Sequence, residues 1–347
     1  SNCGYLRQLE FNGFDTSLVK SFAYTFSKIR LSKFEFSKIN TSSATNMSYM
    51  FSSSSLEEID TEGIDTSKVI DMSHMFQYCS SLLKIDLSKF DTRLVTDMSH
   101  MFRFCTSLSE LNLSAFKTSE VTNMANMFHQ CISITSIDVS SFDTSKVTDM
   151  SYMFDNCCSL NKLSVSNFDT KNVENMKNMF HFCAQLTQLS LKNFDTSKVT
   201  DMSYMFSSCR SLTGLDLGNF ITNNVKDMGY MFFSNIGLIS LSLRNFETPN
   251  LLNLTHTFDS CSSLQRLNIE KLTTSKVVDM SFAFADCSAL DEIDVSKFET
   301  GNVKNMQSMF SGCGAISELD VSRFDTSEVT DISNMFKLCY EFTSLDV

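Results

Sequence analysis

Phe142 to Phe168 reads FDTSKVTDMSYMFDNCCSLNKLSVSNF and returns to its opening residue after 26 positions. Aligned on that aromatic, the repeats begin at Phe14, Ile39, Ile64, Phe90, Phe116, Phe142, Phe168, Phe194, Phe220, Phe246, Leu272, Phe298 and Phe324. The first two steps are 25 residues and the other ten are 26. A strict period of this size is the signature of a solenoid in which each repeat supplies one coil. The chain, residues 1–347, is therefore expected to be a single leucine-rich-repeat-like α/β array of about thirteen coils.

Each repeat divides into three parts. Leu160 to Phe168 follows an L-x-x-L-x-L-x-x-F pattern whose centre alternates with period two. It predicts a short parallel strand with Leu163 and Val165 inward and Ser164 outward. The Asp143–Val147 segment is small and polar, which suits a turn running into an extended piece. Its threonine recurs in all thirteen repeats, Thr118, Thr144 and Thr170 among them. In the third part Asp149 stands where a helix N-cap would, and Met150, Met153, Phe154 and Cys157 fall at i, i+3, i+4 and i+7. That spacing predicts a short helix packed inward. Helices pack more widely than strands, so the array is expected to curve or twist with the sheet on the inside of the bend.

The strictest apolar column contains Phe102, Phe128, Phe154, Phe180 and Phe206, and predicts a stack of rings along the core. It explains a composition of 32 Phe and 20 Met with no Trp and one Pro. Apolar residues make up 42% of the chain, enough for a substantial core. The net charge is −12, and no basic cluster offsets it, which excludes nucleic acid and an anionic membrane surface as natural partners. No apolar run approaches the roughly 20 residues needed to span a bilayer. Neither terminus reads as a polar cap, so the sequence is expected to be a segment of a longer protein.

The string Met75 to Phe102, with M-F-x-x-C-x-S-L, then L-S-x-F-D-T and finally V-T-D-M-S-x-M-F, resembles the bacterial surface protein 26-residue repeat. That group is related to the BspA-like leucine-rich repeats, with which it shares the F-x-x-C-x-x-L core seen at Phe76 to Leu82. The likeness spans essentially the whole chain. It implies a secreted or surface-displayed protein acting in adhesion or binding. Departures are the cysteine-free early coils, Asn235 where cysteine is expected, and Phe246 to Phe258 with its Pro249, Leu254 and Thr257.

The chemistry-bearing residues fall into columns. Ten cysteines, including Cys105, Cys131, Cys157 and Cys183, form one column without metal-type C-x-x-C spacing. They read as small buried thiols, with Cys3 and Cys158 left as the more reactive ones. The threonine column could order ice, but the neighbouring column mixes Thr96 and Thr148 with Lys20 and Leu252. A buried ladder bonded to the backbone of adjacent coils fits better. His74 and His100 share one repeat position and read as surface polarity. No nucleophile–base pair, phosphate-cradling glycine loop or zinc motif occurs, so no cofactor and no enzyme activity is expected.

Partner contact is assigned to the outward strand positions Asp86, Asp138, Ser164, Asp216, Asp294 and Asp320, and to the turn residues Asp143, Ser145 and Lys146. Stacked carboxylates could recruit Ca²⁺, but Ser190, Ser242, Lys117 and Ile221 interrupt the columns. The leading reading is a non-enzymatic surface protein binding protein or glycan along an extended face. The alternative is a structural protein that assembles with copies of itself, end to end, into a filament or coat.

Overall fold

The computed structural model describes Leu9, Phe11 and residues 13–346. Cys3, expected to be one of the two reactive thiols, and Leu6, read as part of a preceding repeat, lie outside the described residues. The chain divides into two compact units, Ser1–Asn172 and Val173–Val347. In unit 1 the strands are β1 (Lys33–Glu35), β2 (Glu58–Asp60), β3 (Lys84–Ile85), β4 (Glu110–Leu111), β5 (Ser136–Ile137) and β6 (Lys162–Leu163). In unit 2 they are β7 (Gly214–Leu215), β8 (Ser240–Ser242), β9 (Arg266–Asn268), β10 (Glu318–Asp320) and β11 (Ser344–Asp346).

All strand pairing is parallel, and each strand meets its repeat equivalent: Lys84 opposes Glu110, and Leu241 lies between Leu215 and Leu267. Strands of two or three residues suffice because the strand is only one side of a coil. The Asn/Asp column at the expected helix start forms a second set of parallel bridges. It runs from Asn46 through Asp71, Asp97 and Asn123 to Asp149 in unit 1, and from Asn175 to Asp331 in unit 2.

Among the described residues the expected helix is absent. In its place are consecutive turns, and one coil shows why. The N–H groups of Met98, His100, Phe102 and Phe104 donate to the carbonyls of Asn123, Ala125, Met127 and His129 in the next coil at 2.8–3.1 Å. The N–H groups of Met101, Arg103 and Cys105 close turns onto Met98, His100 and Phe102. That of Ser99 donates to Asp97 Oδ1 at 2.8 Å. Every N–H from Met98 to Cys105 thus has a partner without a helix, as a buried backbone requires.

His100 and Phe104, at φ 58° and 61°, occupy the third position of the two tight turns, where type II geometry demands positive φ. Two such positions recur in every coil from Tyr24 and Lys28 to Asn334 and Leu338. Only Gly312 among them is glycine. None is Val, Ile or Thr, the residues least able to adopt this conformation. The i, i+3, i+4, i+7 face still points inward: Met150, Met153, Phe154 and Cys157 are all fully buried. Without a helix there is no wide-spaced side, so the ground for expecting curvature is gone; coil spacing on the turn side is set by hydrogen bonds, as on the strand side.

Inside unit 1, the rings of Phe76, Phe102, Phe128 and Phe154 stack at 5.6–6.0 Å between centroids. In unit 2 the rings from Phe180 to Phe336 do the same at 5.4–6.1 Å. Among the described residues no helix is long and apolar enough to cross a membrane.

Candidate binding face

Most polar columns of the repeat are committed to holding coils together. Thr118 Oγ1 donates to the carbonyl of Asp143 and accepts that residue's N–H, both at 2.8 Å. Thr144 does the same with Asp169 at 2.9 and 2.8 Å. Thr118, Thr144 and Thr170 are each 1% exposed, so they present no flat hydroxyl face to water or ice.

The cysteine column is likewise internal. Each thiol donates to the carbonyl of the core phenylalanine one coil back: Cys105 to Phe76, Cys131 to Phe102 and Cys157 to Phe128, all at 3.2 Å. Burial pushes Cys131 and Cys209 up to about 12, so these thiols stay protonated donors rather than nucleophiles. Cys183 is also fully buried. Asn235 fills the same position and donates its amide to Phe206 O at 2.9 Å, but its buried Oδ1 has no partner. Cys158 is half-buried, its sulfur 3.8 Å from Ile132 O.

Aspartates recur in three columns with one local role: Oδ1 accepts the N–H two residues on. In the bridge column this binds Asp149 to Ser151, so the acceptor expected of an N-cap is present but closes a turn. On the strand face it binds Asp86 to Ser88, Asp138 to Ser140, Asp216 to Gly218, Asp294 to Ser296 and Asp320 to Ser322 at 2.9–3.0 Å. In the turn it binds Asp143 to Ser145. Hydrogen bonds from those serines hold the carboxyls of Asp86, Asp138, Asp143, Asp294 and Asp320 below their ordinary range. Among the described residues no group of three or more His, Cys, Asp or Glu is placed to hold a metal ion.

All six outward strand positions singled out in the sequence are exposed, Ser164 included, where Oγ lies 3.2 Å from Ser166 Oγ. Lys146 is also exposed and pairs with Glu120 at 2.6 Å. Ser145 is half-buried, and its carbonyl accepts the Asn172 amide. The turn residues are thus partly occupied by neighbouring coils, and the strand face is freer.

That face has a built shape. In unit 1 a groove of about 540 Å³ is lined by Lys33, Glu58, Asp60, Lys84, Asp86 and Glu110 over a floor of Ile59, Ile85 and Leu111. In unit 2 a groove of about 910 Å³ uses the same repeat positions: Arg266, Glu292, Asp294 and Glu318 over Leu241, Leu267 and Ile293. The column that opens the strand alternates in sign over four coils of unit 1, Lys33, Glu58, Lys84 and Glu110, and was not singled out from the sequence. Its signal was legible as the variable residue just before the inward Ile or Leu.

A second feature was also missed. In two runs of coils the first left-handed position carries rings that stack on their repeat neighbours. Tyr24, Tyr49, His74 and His100 do so at 4.0–4.3 Å in unit 1. Tyr204, Tyr230, His256 and Phe282 do so at 4.4–4.5 Å in unit 2. His100 is thus part of a ring stack rather than loose surface polarity, and burial lowers it to about 3, so it is neutral at physiological pH.

The model of one protein family, described as Mycoplasma protein of unknown function, DUF285, matches residues 2–86, 81–185, 161–266 and 252–346. No curated protein matches the chain. Among solved structures, it is similar to a leucine-rich repeat protein from Bacteroides ovatus, with 17% identity and a TM-score of 0.47 over 84% of this chain and 78% of that one. A leucine rich cell surface protein from Faecalibacterium prausnitzii matches at 17% identity and TM-score 0.39, over 91% and 83%. A leucine-rich repeat protein from Eubacterium ventriosum matches at 17% and 0.40, over 87% and 72%.

Proposed function

The chain belongs to the family described as Mycoplasma protein of unknown function, DUF285, and on that premise we propose a non-enzymatic, surface-displayed or secreted protein whose strand face binds another protein. The observation that carries this reading is the division of labour within the coil. Threonine, cysteine and phenylalanine columns repeat because neighbouring coils need them, whereas the outward strand columns differ from coil to coil and line the grooves of both units. Many modest contacts along such a face add by multivalency without a deep pocket.

The chemistry of the face favours protein over glycan. Its side chains are mixed charges above an aliphatic floor, which complement a polypeptide surface. A sugar platform needs an open aromatic face, and the stacked rings of the turn side spend their faces on one another. Surface display is what the repeat resemblance implies.

Beads coated with the chain, applied to cultured host-cell monolayers and to immobilised matrix proteins, test this reading. Adherence is expected, with strong loss in the quadruple charge reversal K84E, E110K, R266E and E292K. Adherence unchanged by that variant would sink the strand-face assignment. Light scattering that grows into long polymers at modest concentration would instead favour self-assembly.

A further inference from the structure

We propose that Tyr24–Tyr49 and Tyr204–Tyr230 are paired sites of oxidative cross-linking, at which a one-electron oxidant of the haem peroxidase–hydrogen peroxide class joins adjacent coils through dityrosine. The inference stands apart from the strand-face reading and rests on geometry repeated in both units. Tyr24 and Tyr49 stack with centroids 4.3 Å apart and planes 10° from parallel. Tyr204 and Tyr230 do so at 4.5 Å and 4°.

Register comes from the backbone. All four tyrosines hold the same left-handed conformation, φ 56–59°. The bond from Tyr24 N–H to Ser48 O, and that from Tyr204 N–H to Gly229 O, fix one coil against the next beside each pair. The rings of each pair therefore overlie one another nearly parallel. Tyr24 is 58% exposed and the other three are half-buried, so each pair has a solvent-side edge at which an oxidant can act and rings can tilt.

The reaction balances. Each phenol gives up one electron and its hydroxyl proton, and the two phenoxyl radicals form a bond between their ortho carbons. The ortho hydrogens then return to the oxygens as the rings regain aromaticity. Two phenols and one hydrogen peroxide give one dityrosine and two waters. Proximity favours this coupling because the partner radical is held in contact rather than met by diffusion. The remaining tyrosines whose stacking is described offer no second phenol: Tyr78 stacks on Phe104 and Tyr152 meets the edge of His129.

The dilute full chain would be treated with a haem peroxidase and hydrogen peroxide, then digested and analysed by mass spectrometry. The expected result is a monomeric product lacking two hydrogens per pair, with linked peptides carrying Tyr24 with Tyr49 and Tyr204 with Tyr230. Tyr49→Phe and Tyr230→Phe keep the stacked ring and should each abolish only their own link, while Tyr152→Phe leaves both. Linkage that survives these two variants, equal yield from urea-unfolded chain, or products confined to intermolecular dimers through the exposed Tyr340 would each overturn the proposal.

Discussion

At the residue scale the most informative side chain is Asn235. It shows what the cysteine column does, because it breaks the pattern while keeping the donor: its amide reaches Phe206 O as a thiol reaches the equivalent carbonyl elsewhere. What it adds is a buried oxygen without a partner. Asn235→Cys should restore the column and stabilise the chain by about 1 kcal/mol, visible as a raised urea midpoint. The left-handed positions make a second prediction. Ser53 is exposed at φ 60°, so Ser53→Thr touches little packing yet should cost roughly 1–2 kcal/mol, whereas Ser53→Asn should be close to neutral. Equal stabilities for the two variants would contradict the turn geometry.

The element that matters is the turn side of the coil. Met150, Met153, Phe154 and Cys157 were legible as one inward face, and they are buried. Spacing alone could not say whether the N–H groups between them bond within the segment or to the next coil, because that choice depends on residues 26 positions away. The lack of Val, Ile and Thr at two columns, with Asn at Asn126, Asn156 and Asn178, was the sequence trace of the answer. Strands, ring stack and threonine ladder were readable because each recurs at one column with one chemical demand. On the ladder, Thr118→Val would leave the N–H and carbonyl of Asp143 without their hydroxyl, and should cost about 1–3 kcal/mol in thermal or urea unfolding, with Thr118→Ser much milder. The aspartate turns give a pH dependence. Asp65, Asp86, Asp138, Asp294 and Asp320 titrate below their ordinary value in the folded chain. Their contribution is therefore complete above the unfolded carboxylate value near pH 4 and is lost as pH falls through the folded values. Urea midpoints should be flat near neutrality and decline below about pH 4, and Asp→Asn changes at these sites should flatten that decline.

For the whole molecule, the repeat positions decide which residues are free to recognise anything, and this was largely legible: the outward strand residues are exposed, as their alternation required. The grooves they line were not, since depth depends on how far the flanking charged side chains rise above a floor of half-buried Leu111, Leu267 and Ile293. One consequence of the coil-to-coil bonding concerns inheritance. Within a unit, each coil's ladder bonds go to the coils beside it, at offsets of about one period. Removing Asp91–Phe116, one complete 26-residue unit, leaves every column aligned and should preserve cooperative unfolding with a slightly lower midpoint, whereas removing Asp91–Arg103 should abolish folding. In-frame recombination between homologous coding units would then change the length of the strand face in whole steps while sparing the fold. Such a gene can vary how far its product reaches without rebuilding it.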